Sequence, residues 1–229
     1  MRMRRKKHLS ERADNISDYI IPVDRTLPPD TSLKISSYSE LPEKFASAPV
    51  ILEIGSGKGR FALQYAAAHP ESCVIGVEKC MNVLVAACET LKESGLDNLL
   101  FMHCGAEYLN RYLRPASVGG IFLNFSCPFP KNHQASHRLT DGRFLKIYEE
   151  LLIPGGCVSQ KTDNAGLFEY SIEQFSLRRW KLTEVTVDLH SSKYAEGNIM
   201  TEYEERFTSQ GAKIYSLKAY PPEKSEERV

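Results

Sequence analysis

The sequence predicts a doubly wound α/β fold: a mostly parallel sheet with helices on both faces and an antiparallel edge pair near the C-terminus. From position 49 onward, short apolar runs typical of buried strands alternate with amphipathic segments typical of helices. The first run ends in a glycine-rich turn, and two strand-like runs lie late in the chain. In a sheet of this kind, ligands bind at the carboxyl ends of the strands.

Each element follows from its own stretch of sequence. The predicted strands are residues 50–54, 73–78, 99–104, 120–125 and 157–162, and the predicted helices are 60–69, 82–93, 106–113 and 166–178, with a further helix capped by Thr140 and Asp141. Pro154, Gly155 and Gly156 are expected to break the chain after that capped helix. Residues 183–190 and 213–220 alternate like strands and supply the edge pair.

Composition and length suit one folded domain with a basic N-terminal arm. The chain has 229 residues, 42% hydrophobic and 25% charged, with a formal net charge of zero. Residues 1–45 lack periodicity and predict an arm with extended or irregular structure, whereas 46–229 predict the domain. Five of the first seven residues are Arg or Lys, so the arm either neutralises phosphates or is a solvated tail. No membrane span and no signal peptide are expected, and the expected location is the cytoplasm.

Neither the cysteines nor the histidines predict a metal site. The six cysteines form no C-x-x-C pair, so reduced thiols are expected rather than zinc ligands or disulfides. His133 and His137 are four residues apart and could face one way on a helix, but no third ligand of suitable spacing lies nearby. Contact with a base or phosphate, or plain exposure to solvent, is the alternative for both.

The turn after the first strand indicates the class of cofactor. Residues 53–59 read EIGSGKG, and Arg60 stands where a dinucleotide-binding turn has its third glycine. The carboxylate of Glu53, just before the turn, would repel a pyrophosphate but suits a cation such as the amino group of a methionine moiety. Glu78 closes the second strand, where an acidic residue can accept hydrogen bonds from ribose hydroxyls. S-adenosylmethionine is therefore favoured over NAD.

Three further motifs carry a family resemblance. Residues 123–131 read LNFSCPFPK, 161–164 read KTDN, and 197–204 read GNIMTEYE. With the glycine-rich turn, this set resembles the bacterial tRNA (guanine-N7)-methyltransferases over about residues 48–215. The resemblance implies a Rossmann-like class I methyltransferase, S-adenosylmethionine as cofactor, tRNA as partner, and methylation at N7 of guanosine 46 in the variable loop. Both a monomer and a homodimer remain open.

The resemblance also implies residue roles. It assigns cofactor binding to Glu53, Gly55, Gly57, Gly59, Glu78, Gly105, Ala106 and Asn124. It assigns substrate binding to Lys131, Asp163, Thr201, Glu202, Tyr203 and Glu204, and it places Cys127 at the catalytic position. His133, His137 and Arg138 lie in a stretch that is basic in the family and touches RNA.

The chain departs from the family pattern in the loop after the fourth predicted strand, at Gly105 and in the basic stretch. The family sequence S-D-P-W-P reads SCPFP at 126–130, so Cys127 replaces the aspartate with the catalytic role and Phe129 replaces the tryptophan. Phe129 could stack against a base or pack under its loop. Gly105 stands where the family places an aspartate close to the adenine. The basic stretch is also thinner, with Asn132, Gln134 and Ser136 at positions where lysine or arginine is common.

Three functions remain open, because methylation of guanine N7, which carries a lone pair and no proton, does not strictly require the aspartate that Cys127 replaces. A base is not needed there, but a carboxylate would stabilise the positive charge that develops on guanine. Cys127 could be a neutral replacement in a working site, the mark of a weakened enzyme, or a thiol that relays methyl, and Asp163 or Glu202 could take over the recognition. The alternatives to tRNA methylation are a cofactor-binding RNA-binding protein with little catalysis and a methyltransferase for another substrate.

Overall fold

Strands and helices alternate along the chain in the order that the apolar pattern predicts. The computed structural model describes residues 9–26 and 42–223. The strands are β1 (Ile20–Ile21), β2 (Val50–Ile54), β3 (Cys73–Val77), β4 (Leu99–Met102), β5 (Val118–Asn124), β6 (Leu152–Thr162), β7 (Lys181–Thr186) and β8 (Tyr215–Tyr220). The helices are α1 (Leu9–Asp14), α2 (Glu43–Ser47), α3 (Arg60–Ala68), α4 (Met81–Ser94), α5 (Leu109–Tyr112), α6 (Gly142–Leu151), α7 (Ala165–Leu177) and α8 (Glu202–Thr208).

The eight strands form one sheet in the order β1-β4-β3-β2-β5-β6-β8-β7. The pairs from β1 to β6 are parallel, and β8 pairs antiparallel with both β6 and β7. The prediction of a mostly parallel sheet with an antiparallel edge pair is therefore confirmed. The carboxyl ends of the six parallel strands lie along one edge, and the ligand-binding edge of such a sheet is this one.

Apolar side chains fill both faces of the sheet. On one face, α3 and α4 pack Ala62, Leu84 and Leu91 against the strands. On the other, α6 and α7 bury Leu145, Tyr148 and Phe175. The single tryptophan, Trp180, belongs to this second core, where it is 4% exposed and its indole N–H donates to Glu149 Oε1 at 2.7 Å.

The structure differs from the sequence-based expectation mainly at element ends. Pro154, Gly155 and Gly156 do not separate helix from strand, because they lie inside β6. Leu152 pairs with Val118 and Cys157 pairs with Gly120, so the residues between them bulge out of the ladder. The strand predicted over 183–190 is β7, which begins two residues earlier and ends at Thr186. A helix, α8, follows Thr201, where none was predicted.

The described part of the predicted arm is more regular than expected. Residues 9–26 contain α1, a 3-10 helix over Ser17–Tyr19, and β1, which adds a parallel strand beside β4. Ile16 is buried against α4, and Arg12 forms a bidentate ion pair with Glu89. Strand β1 agrees with the extended or irregular structure predicted for this stretch, whereas α1 does not, because a six-residue helix is too short to show periodicity. The basic residues 1–8 lie outside the described residues. No described helix is long and apolar enough to cross a membrane.

Candidate functional site

A cavity of about 1220 Å³ opens at the carboxyl edge of the sheet. The glycine-rich turn after β2, the segments that follow β3, β4 and β5, and helices α6 and α8 all contribute to its lining. Eleven of the predicted site residues line it: Glu53, Gly55, Gly57, Glu78, Gly105, Ala106, Asn124, Cys127, Thr201, Glu202 and Tyr203. Residues from distant parts of the sequence thus meet where the fold class predicts a ligand.

The inner wall of the cavity carries two unsatisfied acceptors. Glu53 is 3% exposed, and its Oε1 accepts a hydrogen bond from Asn124 Nδ2 at 3.0 Å. Glu53 Oε2 and Asn124 Oδ1 have no hydrogen-bond partner among the described residues. Burial raises the pKa of Glu53 to about 8, against the opposing effect of the Asn124 hydrogen bond. Buried acceptors without partners are costly, so this wall can accept hydrogen bonds from a ligand that donates N–H groups.

The three glycines of the turn serve two purposes. Gly55 and Gly57 have φ of +83° and +56°, and an added Cβ would meet nothing within 4 Å, so glycine is favoured there by conformation. At Gly59 a Cβ would lie 2.9 Å from both Ala87 Cβ and the Phe101 ring. Gly59 therefore lets α3 pack closely on the sheet and α4, and it does not line the cavity as a predicted cofactor ligand would.

Glu78 is held in place by backbone groups. Its Oε2 accepts from the N–H of Gly57 at 3.1 Å, and its Oε1 accepts from the N–H of Cys80 at 2.8 Å. The carboxylate thus ties the end of β3 to the glycine-rich turn and still lines the cavity. Each oxygen keeps a lone pair with which it can accept a ligand hydroxyl.

The loop after β5 forms part of the cavity mouth. Phe125 and Phe129 line the cavity and have φ of 52° and 41°, a strained conformation for aromatic residues. Cys127 lies exposed between them. Arg138 donates to the carbonyl oxygens of Pro128 and Phe129, both at 3.0 Å, so this member of the expected basic stretch holds the loop. The Phe129 ring lies 5.5 Å from the His137 ring, so it is packed as well as exposed to the cavity.

Helix α8 is anchored from beneath by a buried ion pair. Glu204 is fully buried and its Oε2 accepts from Lys161 Nζ at 2.6 Å, while its Oε1 accepts from Asn198 Nδ2 at 2.6 Å. The His190 ring lies 3.1 Å from the same carboxylate. Glu204 and Thr201 also form a capping box that starts the helix. Glu204, predicted to bind substrate, therefore lies outside the cavity lining and positions α8.

The outer side of α8 is attached by exposed contacts. Lys58 Nζ lies 2.8 Å from Glu202 Oε1, and Arg60 forms a bidentate pair with Glu205. Tyr203 is 59% exposed, and its ring stacks 6.4 Å from that of Phe125. The mouth of the cavity thus combines paired charges with an accessible aromatic ring.

Several residues fall elsewhere than expected, and others were missed. Lys131 and Asp163 do not line the cavity. Lys161 belongs to the KTDN motif but was not predicted as a site residue. A lysine is almost never fully buried unless it is paired, and its partner Glu204 lies 43 positions away in the sequence. It also missed the apolar side chains Val83, Leu139, Phe144 and Ile147, and the basic side chains Lys79, Arg143 and Arg206, which line the cavity. Within residues 9–26 and 42–223, no group of three or more metal-ligating side chains occurs.

Solved structures with similar folds are methyltransferases. An antibiotic-related methyltransferase is 18% identical and covers 80% of this chain and 92% of its own, with a TM-score of 0.59. An aminoglycoside resistance methyltransferase is 19% identical, covering 81% and 93%, with a TM-score of 0.55. A mutant 16S rRNA (adenine(1408)-N(1))-methyltransferase from Catenulisporales acidiphilia, solved with cosubstrate SAM, is 15% identical, covering 87% and 94%, with a TM-score of 0.56. At these identities the likeness shows the fold alone.

Sequence comparison identifies the family. A family model described as "Putative methyltransferase" matches residues 47–217. The tRNA (guanine-N(7)-)-methyltransferase of Lachnoclostridium phytofermentans is 46% identical over 172 residues, which cover 75% of this chain and 80% of the relative. The match to the family model spans the glycine-rich turn, the cavity loops and α8. The chain therefore belongs to the bacterial tRNA (guanine-N7)-methyltransferase family.

Proposed function

We propose that this chain transfers the methyl group of S-adenosylmethionine to N7 of a guanine in tRNA. The observation that carries the proposal is the inner wall of the cavity, where Glu53 and Asn124 present unsatisfied acceptors beside the glycine-rich turn. The relative that is 46% identical is named for the same activity. Guanosine 46 of the variable loop is the proposed position, and a protein that modifies tRNA would work in the cytoplasm.

The residues present fit the cofactor. Glu53 and Asn124 would hold the ammonium of the methionine moiety, because both accept N–H groups and Glu53 supplies the countercharge. Glu78, already oriented by the Gly57 and Cys80 N–H groups, would accept the ribose hydroxyls. Gly105 and Ala106 would border the base. When bound, the cofactor supplies an electrophilic methyl group on a sulfonium.

The protein's contribution to the chemistry is alignment. Guanine N7 attacks with its own lone pair, so no residue needs to remove a proton, and holding two reactants in line contributes up to about 7–11 kcal/mol. Cys127 lies exposed in the cavity, and a thiol stabilises the cationic product less well than a carboxylate. Of the two acidic residues suggested to take over recognition, Glu202 lines the cavity and Asp163 does not. We assign the guanine N–H donors to Glu202.

The rim of the cavity suits a nucleic acid. Five of its lining residues are lysines or arginines: Lys58, Arg60, Lys79, Arg143 and Arg206. Tyr203 offers an exposed ring on which a base can stack. The basic arm, residues 1–45, would add phosphate contacts through its first seven residues. Lys131, exposed at the start of the 3-10 helix Asn132–His137, is a further phosphate ligand of the proposal.

The test is methyl transfer to an unmodified tRNA transcript. Labelled S-adenosylmethionine should methylate the transcript, and nucleoside analysis should give 7-methylguanosine. A matched transcript with 7-deazaguanosine at position 46 lacks the acceptor atom and should receive no label. Transfer to the deaza transcript would mean another atom or another position, and no transfer to either would contradict the proposed activity.

A second candidate function follows from Cys127. An exposed thiol in place of the family carboxylate favours a protein that binds cofactor and tRNA but transfers methyl slowly or not at all. Measuring ligand binding and methyl transfer on the same preparation distinguishes the two candidate functions. Tight binding of S-adenosylhomocysteine and tRNA, without 7-methylguanosine after long incubation, would establish the second.

A further inference from the structure

Basic side chains follow three neighbouring strands at one end of the cavity edge. Arg25 lies four residues after β1, His103 directly follows β4, and Lys79 lies two residues after β3. These strands are adjacent in the order β1-β4-β3 and run parallel, so the three residues lie at the same edge of the sheet as the cavity. Lys79 also lines the cavity. Helix α8 lies over the other half of this edge, where it contacts residues in or after β2, β5 and β6.

The folded part of the arm places Arg25 at this edge. Strand β1 extends the sheet beyond β4, and the Tyr112 hydroxyl holds the turn that follows: it donates to the Asp24 carbonyl oxygen at 2.9 Å and accepts from the Asp24 N–H at 2.6 Å. Asp24 Oδ1 accepts from the N–H and the hydroxyl of Thr26, at 2.8 and 2.6 Å. The backbone on both sides of Arg25 is therefore fixed, and the neighbouring carboxylate is engaged by Thr26.

The charges on this side of the cavity mouth are not neutralised by the protein. Arg25 and Lys79 are exposed, and neither forms an ion pair with a carboxylate within residues 9–26 and 42–223. On the other side, Lys58 and Arg60 are both paired with carboxylates of α8. Positive charges without counterions at neighbouring strand ends repel one another, and an anion bound between them removes that repulsion.

The His103 ring lies between the two cations. Its Nε2 is 3.2 Å from the carbonyl oxygen of Lys79. Burial lowers the pKa of His103, and the nearby positive charge of Arg25 lowers it further, so the ring is neutral at pH 7.5. Glu78 and Glu107, the carboxylates that follow β3 and β4, line the cavity and pair with neither cation. The positive charge of this surface therefore comes from Arg25 and Lys79.

We propose that Arg25 and Lys79, with His103 between them, form a surface that binds the sugar–phosphate backbone of the tRNA beside the cavity. This inference rests on the proposed methylation of tRNA and adds a path for the RNA across the ends of β3, β4 and β1. Neighbouring strands are about 5 Å apart, so the surface spans roughly 10 Å and can hold more than one phosphate. Phosphate contacts fix position and carry no sequence information, so this surface orients the RNA while the cavity selects the base.

The test is binding of an unmodified tRNA transcript to charge-removing variants over a range of salt concentrations. Arg25→Gln and Lys79→Gln should each weaken binding by about three- to tenfold at low salt, and each should make the slope of log affinity against log salt shallower by about 0.7–0.9. The double variant should lose about twice as much slope. Lys181→Gln is the matched control, because it removes an exposed charge at the start of β7, on the opposite edge of the sheet, and should bind like the parent.

Two further measurements separate this surface from its surroundings. His103→Gln keeps both cations and should leave the salt slope unchanged at pH 7.5. S-adenosylhomocysteine should bind Arg25→Gln as tightly as the parent, because Arg25 does not line the cavity. If the Arg25 and Lys79 variants bind the transcript like Lys181→Gln while the parent methylates it, this inference is wrong and the proposed function stands. If the parent neither binds nor methylates the transcript, both are wrong.

Discussion

Helix α8 is attached to the rest of the molecule at two places that differ in burial. On its inner side, Lys161 and Glu204 pair with side chains that are 8% and 0% exposed. On its outer side, Lys58 and Glu202 pair with side chains that are 63% and 54% exposed. The contact distances are similar, 2.6 and 2.8 Å, but water surrounds only the outer pair. Removing one partner of the inner pair leaves a buried charge without its countercharge. Removing one partner of the outer pair leaves a charge that water can hydrate.

The cavity shows the same contrast between inner wall and rim. Glu53 is buried, and the loss of water raises the pKa of its carboxyl group. A bound cation would therefore stabilise its charged form more than that of an exposed carboxylate. Cys127 stands on the rim, exposed to solvent, where any charge would be partly screened. The inner residues should therefore fix geometry and cofactor affinity, whereas the rim residues should adjust rate and RNA binding by smaller amounts.

The largest expected effect comes from Lys161→Met. It leaves the Glu204 carboxylate buried without its countercharge, which should lower the free energy of unfolding by about 3–5 kcal/mol. Urea unfolding followed by circular dichroism measures the loss. Lys218→Met is the matched control on β8, because Lys218 pairs with Glu184 at a half-exposed site and should cost no more than about 1 kcal/mol. Equal small losses in the two variants would remove the distinction between buried and exposed attachment.

The next effect concerns Glu53 and pH. A cation binds the deprotonated carboxylate, so with a pKa of about 8 in the free protein, affinity for S-adenosylmethionine should rise as pH increases towards 8. Glu53→Gln should bind roughly ten- to hundredfold more weakly at pH 8. The ligand's amino group titrates in both proteins, so the parent-to-variant affinity ratio isolates Glu53. That ratio should approach a tenfold rise per pH unit from pH 6 to 7.5. A flat ratio would mean that Glu53 is already charged or does not meet the cation.

On the rim, Cys127→Asp should raise single-turnover methyl transfer to a tRNA transcript by about tenfold, while Cys127→Ser changes it little. One charge-assisted hydrogen bond is worth about 1.5–3 kcal/mol, and exposure places the gain near the lower end of that range. A Ser variant without activity that Asp does not restore would show that the thiol itself is chemically required.

The smallest expected effect is that of Lys58→Gln on stability. Its pair with Glu202 is exposed, so unfolding free energy should change by less than about 1 kcal/mol. Affinity for tRNA should fall if Lys58 exchanges Glu202 for a phosphate when RNA binds, and the decrease should shrink in high salt. Lys44→Gln, which breaks the exposed Lys44–Asp97 pair outside the cavity, is the control for both measurements. A stability loss as large as that of Lys161→Met would contradict the contrast between the two sides of α8.

The central strands and the glycine-rich turn were predictable because their cause is local. β2 and β3 are short runs that are apolar except for Glu53, and Gly55 and Gly57 stand where the chain requires positive φ. The edge of the sheet was not predictable in the same way. A strand of two residues, such as β1, is too short to show an alternating pattern. The sequence of Pro154–Gly156 predicts a chain break, although the residues on both sides of it pair with β5. Edge strands depend on neighbours that are distant in sequence.

The residues of the candidate site also differ in how far the sequence could predict them. Glu53, Glu78 and Cys127 could be proposed from the sequence because a motif marks each of them, and all three line the cavity. The role of Glu204 was not visible in its motif, because its partner Lys161 lies 43 positions away and only the folded chain shows that they meet. Motifs thus predicted residues that line the cavity, and the folded structure shows which of their side chains are in contact.

The position of Trp180 gives the chain an internal optical reporter. It is the single tryptophan, it is buried beside Phe175 in the core under β7, and it does not line the cavity. Its fluorescence should therefore follow the opening of that core and remain nearly constant when a ligand enters. A variant with lost activity and unchanged emission has a defect in the site, whereas a red shift of its emission reveals a protein that has begun to unfold.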